Sequence, residues 1–243
     1  MIYITDGSFE GILTAIFEAY KRKEEPESII SKDNYQMSFL TESMEIETDG
    51  EKSGRVYRAV INKMSVHAME ELYCAYLSGH PDAGLAIYRY VRIGLKAGSR
   101  VVSYLQNADV LKVHDMSRRV LTEVHRFLGI LRFRKLKNGI YYARYEPDSN
   151  ITMLLSDHFA ERLSDQPWII HDARRDIYAL YNTDEVVLTN ERLPINDEIN
   201  DDGFEALWKC YFKSIAIKSR YNPKLQRQYM PRRYWKNLIE KQI

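Results

Sequence analysis

Apolar residues recur every three or four positions from residue 9 to residue 20, so that Phe9, Ile12, Leu13, Ile16, Phe17 and Tyr20 fall on one side of a helix. Ser8 stands where an N-cap belongs, and the charged run KRKEEPE with Pro26 closes the pattern. Before it, residues 1–5 alternate as a short strand does and Asp6-Gly7 turns the chain. Residues 24–54 are polar, with a strand expected near residues 44–48 and a turn at Asp49-Gly50, and this is the least structured stretch of the reading. Helical spacing returns from residue 55 to residue 77, is broken by Gly79-His80-Pro81, and restarts at Asp82 to run through Lys96.

Residues 111–128 give the clearest helix. Val113, Met116, Val120, Val124, Phe127 and Leu128 line one stripe, while His114, Arg118 and His125 share another side. After Gly129, ILRFRKLKNGIYYARYEP reads as a hairpin with Asn138-Gly139 in a two-residue turn, which sets Arg132 and Arg134 on the face of Tyr141 and Tyr145 and puts Phe133 beside Arg144. A helix over residues 151–163 and short strands over 167–171, 176–181 and 186–189 follow. Residues 203–219 are again helical, and Pro223 and Pro231 each suit a first helical turn. The expected fold is α+β: a small, largely antiparallel sheet packed with helices over residues 1–202, and a basic, aromatic helical extension over residues 203–243 packed on the same domain.

Composition narrows the class. With 45% apolar and 28% charged residues and a mean hydropathy of −0.44, the 243-residue chain reads as globular, without a membrane span. Its first residues lack a secretory pattern, so a cytoplasmic location is the expectation. Cys74 and Cys210 are too few and too far apart for a disulfide framework or a cysteine metal site, and both read as buried small residues. The net charge of +1 conceals a gradient: residues 1–54 hold 12 acidic against 5 basic side chains (−7), residues 205–243 hold 10 basic against 2 acidic (+8), and residues 117–144 hold 8 basic against Glu123 alone (+7). Such clusters, rather than the overall charge, decide whether a polyanion binds.

The chemistry concentrates in two places. KSRYNPKLQRQYMPRRYW, residues 218–235, has six Lys or Arg, four aromatic residues and no acid. Cations hold phosphates and aromatic rings stack bases, so Arg220, Lys224, Arg227, Tyr229, Arg232, Arg233 and Trp235 form a candidate nucleic-acid site, with Trp235 as an anchor beside Leu238 and Ile239 on a helix from Pro231. The bland alternative is a solvated face that neutralises the acidic N-terminal part. The second place is HFAERLSDQPWIIHDARR, residues 158–175, where His158, Asp165, His171 or Asp172 could serve acid-base catalysis. Arg162, Arg174 and Arg175 there, with Trp168 and with Arg118 and His125 of the long helix, form a candidate anion or partner site; a satisfied His-Asp pair and a capped helix end are the bland readings. His114 and His125 stand about 16 Å apart by helical rise and cannot share a metal. No Walker loop, GxGxxG, HExxH or GxSxG is present, and neither a metal nor a cofactor is expected in this chain.

Four stretches carry a resemblance: YITDGSFEGILTAIFEAY, VHDMSRRVLTEVHRFLGILRF, YYARYEPDSNITMLLSDHFAERLSDQPWIIHDARR and LWKCYFKSIAIKSRYNPKLQRQYMPRRYW. In them the chain resembles, nearly end to end, a bacterial family of DNA-metabolism or DNA-repair proteins built on a domain of unknown function. The resemblance implies association, by gene neighbourhood, with a radical-SAM protein of DNA repair or modification, and in some members fusion to an iron-sulfur uracil-DNA glycosylase. The glycosylase does not carry over, because 243 residues leave no room for it and two cysteines cannot hold its cluster. The family brings no catalytic residues to transfer. The favoured reading is a nucleic-acid-binding accessory protein, DNA before RNA, working with a radical-SAM partner away from any membrane. An enzyme acting on nucleic acid through residues 158–175, and a protein-interaction module whose basic tail meets an acidic partner, are the alternatives.

Overall fold

The structure, a computed structural model, describes residues 1–36, 41–193, 204–215, 217–220 and 222–239. The chain divides into two compact units, Met1–Leu121 and Thr122–Ile243, so the boundary expected near residue 203 lies inside the second unit. The α+β class holds, with two small sheets and helices packed on them. No described helix is long and apolar enough to cross a membrane.

In the first unit β1 (Ile2–Thr5) lies between β2 (Ser28–Ser31) and β3 (Ser43–Glu45), paired in parallel with both. The small, largely antiparallel sheet expected from the sequence is that of the second unit, and this parallel sheet stands in addition to it. Helix α1 (Phe9–Arg22) follows, capped by Ser8, whose Oγ accepts from the Gly11 amide at 2.9 Å. Asp6 holds the capping turn: it accepts from the Ser8 amide and hydroxyl at 2.9 and 2.6 Å and from the Thr48 hydroxyl at 2.8 Å. Asp49, read as a turn, is instead the N-cap of α2 (Gly50–Lys63), accepting from the amides of Glu51 and Lys52. The helical pattern to residue 77 is two helices, because the chain leaves helical geometry at Met64 and Ser65 caps α3 (Val66–Leu77).

Helix α4 (Ala83–Ala97) crosses β2 so closely that a Cβ at Gly84 would stand 2.3 Å from the Ile29 carbonyl oxygen. The core gathers Ile12, Leu13 and Ile16 of α1, Val56 and Val60 of α2, Leu72 of α3 and Ile87 and Val91 of α4. Val113 and Met116, from the first part of α5 (Ala108–Ile130), join it. The Glu71 carboxylate is buried with them. Glu71 accepts from the Tyr90 hydroxyl at 2.9 Å and meets His114 Nδ1 at 2.9 Å, which accounts for the half-buried His114.

The second unit is a five-stranded mixed sheet in the order β4-β5-β6-β7-β8. Its strands are β4 (Arg134–Lys135), β5 (Tyr141–Tyr145), β6 (Trp168–Asp172), β7 (Ile177–Tyr181) and β8 (Val186–Thr189). Only β5 and β6 pair in parallel, and α6 (Thr152–Arg162) makes that crossover. One sheet face carries buried Ala143, Tyr145, Trp168, Ile170, Ala179 and Tyr181. Phe133 and Phe159 meet edge to face, as do Phe133 and Trp168. The expected hairpin forms, but Arg134 pairs with Tyr142 and Lys135 with Tyr141. Leu136 donates to the Ile140 carbonyl across a three-residue loop, with Gly139 at φ +87°. That shift of one residue inverts the expected faces, placing Lys135 over the Tyr141 ring and Arg134 with Tyr142.

Candidate nucleic-acid interface

The basic segment ends in a buried hook. Helix α7 (Phe204–Ile215) carries Cys210 exposed, which corrects its reading as a buried residue, whereas Cys74 is buried. Arg220 closes a short 3₁₀ turn (Lys218–Arg220) and is exposed. Asn222 caps α8 (Pro223–Tyr229) by accepting from the Leu225 amide at 3.0 Å, with proline at the first helical position where its missing N–H costs nothing. Lys224, Arg227 and Tyr229 are exposed along it, Tyr229 to 69%.

Beyond Pro231 the chain forms a 3₁₀ helix (Arg232–Asn237), not the α-helix expected, so residues three apart share a side. Arg232 lies over the Trp235 ring on one side, and Trp235 is held by its indole N–H donating to the Met230 carbonyl at 3.0 Å. Arg233 and Lys236 share another side. Tyr234, rather than Trp235, is the anchor: it is 1% exposed and packs edge to face on Phe127, with Leu238 and Ile239 buried after it. Arg232 and Lys236, four residues apart, therefore do not share a side as they would on an α-helix.

The anchor is polar at its tip. Glu123, 3% exposed on α5, accepts from the amides of Asp148 and Ser149 at 2.7 and 2.8 Å and from the Tyr234 hydroxyl at 2.8 Å. A buried carboxylate is tolerated when its lone pairs are filled in this way. Burial and the Glu123 carboxylate hold the Tyr234 hydroxyl protonated, its pKa far above the ordinary tyrosine range. Around this point the tail meets Arg174 and Arg175, far away in sequence. Arg233 Nε pairs with Asp148 at 2.7 Å and Arg174 with the same carboxyl at 3.4 Å, while Arg175 bonds the carbonyls of Pro147 and Asp148 and the buried Asp172 carboxylate. Lys236 and Arg144 both pair with Glu146, and Lys236 first of all holds that carboxyl below its usual range. These cations are therefore largely spent on internal carboxylates. Arg220, Lys224, Arg227 and Arg232 form no ion pair among the described residues.

The cluster of residues 158–175 is not drawn together. His171 and Asp172 are neighbours on β6 and so point to opposite faces. His171, 8% exposed, stacks on Tyr178 at 4.1 Å; its Nδ1 meets the Tyr142 hydroxyl at 2.7 Å and its Nε2 meets Asp176 at 3.2 Å. Burial lowers its pKa below the usual histidine value, with Asp176 opposing. His158 packs edge-on against Phe159, and Asp165 accepts from the neighbouring Gln166 side-chain amide. Trp168 is fully buried on the inner sheet face, which removes it from any surface site. Arg118, His125 and Arg162 are exposed, Arg118 and His125 two turns apart on α5. Sequence reasoning missed Glu123, Glu146, Asp148, Tyr142 and Asp176. One signal was available, since Glu123 is the lone acid in an otherwise basic block of 28 residues. Among the described residues no group of three or more acidic, histidine or cysteine side chains could hold a metal.

The model of the family described as a domain of unknown function, DUF4130, matches residues 81–240, well over half of the chain. The chain belongs to that family. No curated protein and no solved structure matches it. The DUF4130 match spans nearly all of the second unit, the tail and its hook included, and begins after α3 of the first.

Proposed function

We propose that this DUF4130 protein binds nucleic acid through its second unit, DNA in preference to RNA, as an accessory of a radical-SAM partner in DNA repair or modification. The observation that carries the reading is the exposed set Arg220, Lys224, Arg227, Tyr229 and Arg232 on a segment without an acidic residue. Four cations that form no ion pair among the described residues can each displace counterions from a phosphate, and the open Tyr229 ring offers a stacking surface worth about 1–3 kcal/mol per base on a single strand. The partner and the repair context rest on the family resemblance alone. His171 supports this division of labour against an enzyme reading, because both ring nitrogens are engaged and the ring is buried.

Fluorescence anisotropy with labelled single-stranded and duplex DNA over a salt series tests the proposal. Affinity should fall steeply with salt, by about 0.9 log units per log unit of salt for each duplex phosphate contacted and about 0.7 for each on a single strand. Replacing Lys224 and Arg227 together with Ala should reduce that slope by roughly one to two units without lowering the melting temperature. A folded protein that fails to bind at low salt overturns the reading and makes the tail a docking surface for an acidic partner.

A further inference from the structure

Three helices of the first unit, α1, α2 and α3, line a groove of about 670 Å³, within the size range of specific binding clefts. Its apolar lining is Phe9, Leu13, Tyr57, Val66, Met69 and Tyr73. Phe9 and Tyr73 meet edge to face at 5.3 Å, which fixes one aromatic wall. Tyr57, Val66 and Tyr73 remain 45%, 58% and 36% exposed, an open apolar rim spread over two helices. The polar lining has one sign: Glu10 and Glu70 contribute to it, and no Lys or Arg does. Ring faces beside carboxylates favour a cation. On the α2 side the floor is Gly50 and Gly54, one turn apart, and a Cβ at Gly50 would meet nothing within 4 Å, so a guest can approach the helix backbone closely. Arg58 reaches towards Gly54, so the cationic groups of a guest belong at the Glu10 and Glu70 side.

We infer that this groove docks a basic amphipathic helix of a partner protein, its apolar side chains against the aromatic wall and its lysine or arginine heads against Glu10 and Glu70. Helices recognise such grooves through anchors at three- and four-residue spacing, and the one-sided charge of the lining selects a basic helix over an acidic one. The groove lies before residue 81, outside the DUF4130 match, and does not depend on nucleic-acid binding by the tail.

The test uses the full-length protein, ¹⁵N-labelled, titrated with a synthetic Leu/Lys amphipathic helix of roughly 15 residues and with its Leu/Glu counterpart. Amide shifts should centre on Phe9, Gly50, Gly54, Tyr57 and Tyr73, and the Glu peptide should bind at least about tenfold more weakly. Combining Glu10→Lys with Glu70→Lys should weaken the Lys peptide by about tenfold, whereas Glu161→Lys, an exposed charge on α6, should change affinity by less than about twofold. Because Glu10 also favours the first turn of α1, Gly50→Trp provides a second check: it fills open space and should block binding without unfolding the unit. Equal binding of the two peptides, shifts elsewhere, or binding that survives Gly50→Trp would overturn the inference. So would concentration-dependent dimerisation that covers Tyr57 and Tyr73, which would give the groove to a second copy.

Discussion

Glu123 shows how one side chain can decide where a tail ends. Its three donors come from the turn at Asp148 and Ser149 and from Tyr234, so the carboxylate joins segments 111 residues apart in sequence. Tyr234→Phe removes one of the three and should lower the stability of the second unit by about 1.5–3 kcal/mol, the range for a hydrogen bond to a charged group. Urea denaturation followed by tryptophan fluorescence checks this, because Trp168, Trp208 and Trp235 all belong to that unit. An unmoved midpoint would mean that water replaces the hydroxyl. Arg233→Ala should cost less, about 1 kcal/mol at most, since its side chain is 56% exposed in the ion pair. His171 gives a pH signature. Burial lowers its folded pKa, so between that value and 6.5 the unfolded chain binds more protons. Its contribution is full above pH 6.5 and is lost as the pH falls below it. His171→Gln should flatten the melting temperature across that acid window; an unchanged profile would remove His171 as the source.

Glycines set opposite outcomes in the helices. Gly84→Ala places a methyl 2.3 Å from a backbone oxygen of β2 and should destabilise the first unit, since α4 must move off the sheet. Gly129→Ala, near the end of α5 with nothing within 4 Å, should instead stabilise the second unit by about 0.5–1 kcal/mol through helix propensity. Thermal melts of the two variants, read by far-ultraviolet circular dichroism, should move in opposite directions. Where an element had period and punctuation, the sequence disclosed it: Ser8 with its apolar stripe, Pro167 before a strand, and Asn138-Gly139 in a hairpin. Elsewhere the signal was ambiguous for a physical reason. β2 is four residues inside a polar stretch, and its parallel partner is distant in sequence, so no alternation marked it. The break at Met64 was hidden because Met64 is itself buried, keeping the apolar pattern running across two helices. Turn length moved the hairpin register by one residue, which no composition reveals.

At the scale of the whole molecule, charge is sorted by role. Composition alone located the basic tail, but it could not divide cations held by Asp148 and Glu146 from those left outward, because that division follows from the three-residue turn of the last helix. Substituting Arg232 with Arg233 would therefore mix two effects, and each belongs in a separate variant. Arg232→Ala should reduce the salt slope of DNA binding by about one unit with stability unchanged, whereas Arg233→Ala should act first on stability. Anisotropy and denaturation on the same preparations separate them. Of the residue 158–175 cluster, Arg174 and Arg175 do converge with the tail, at Asp148, a meeting legible only in three dimensions. The hook has one more consequence, since Tyr234, Leu238 and Ile239 come after the basic stretch rather than before it. Lys224, Arg227 and Arg232 thus belong to a tethered helical segment, not a loose arm, and give up less conformational freedom when a polyanion lies across them. Ala at Leu238 and Ile239 keeps every cation yet frees the end, and a several-fold loss of affinity at constant salt slope would reveal that preorganisation.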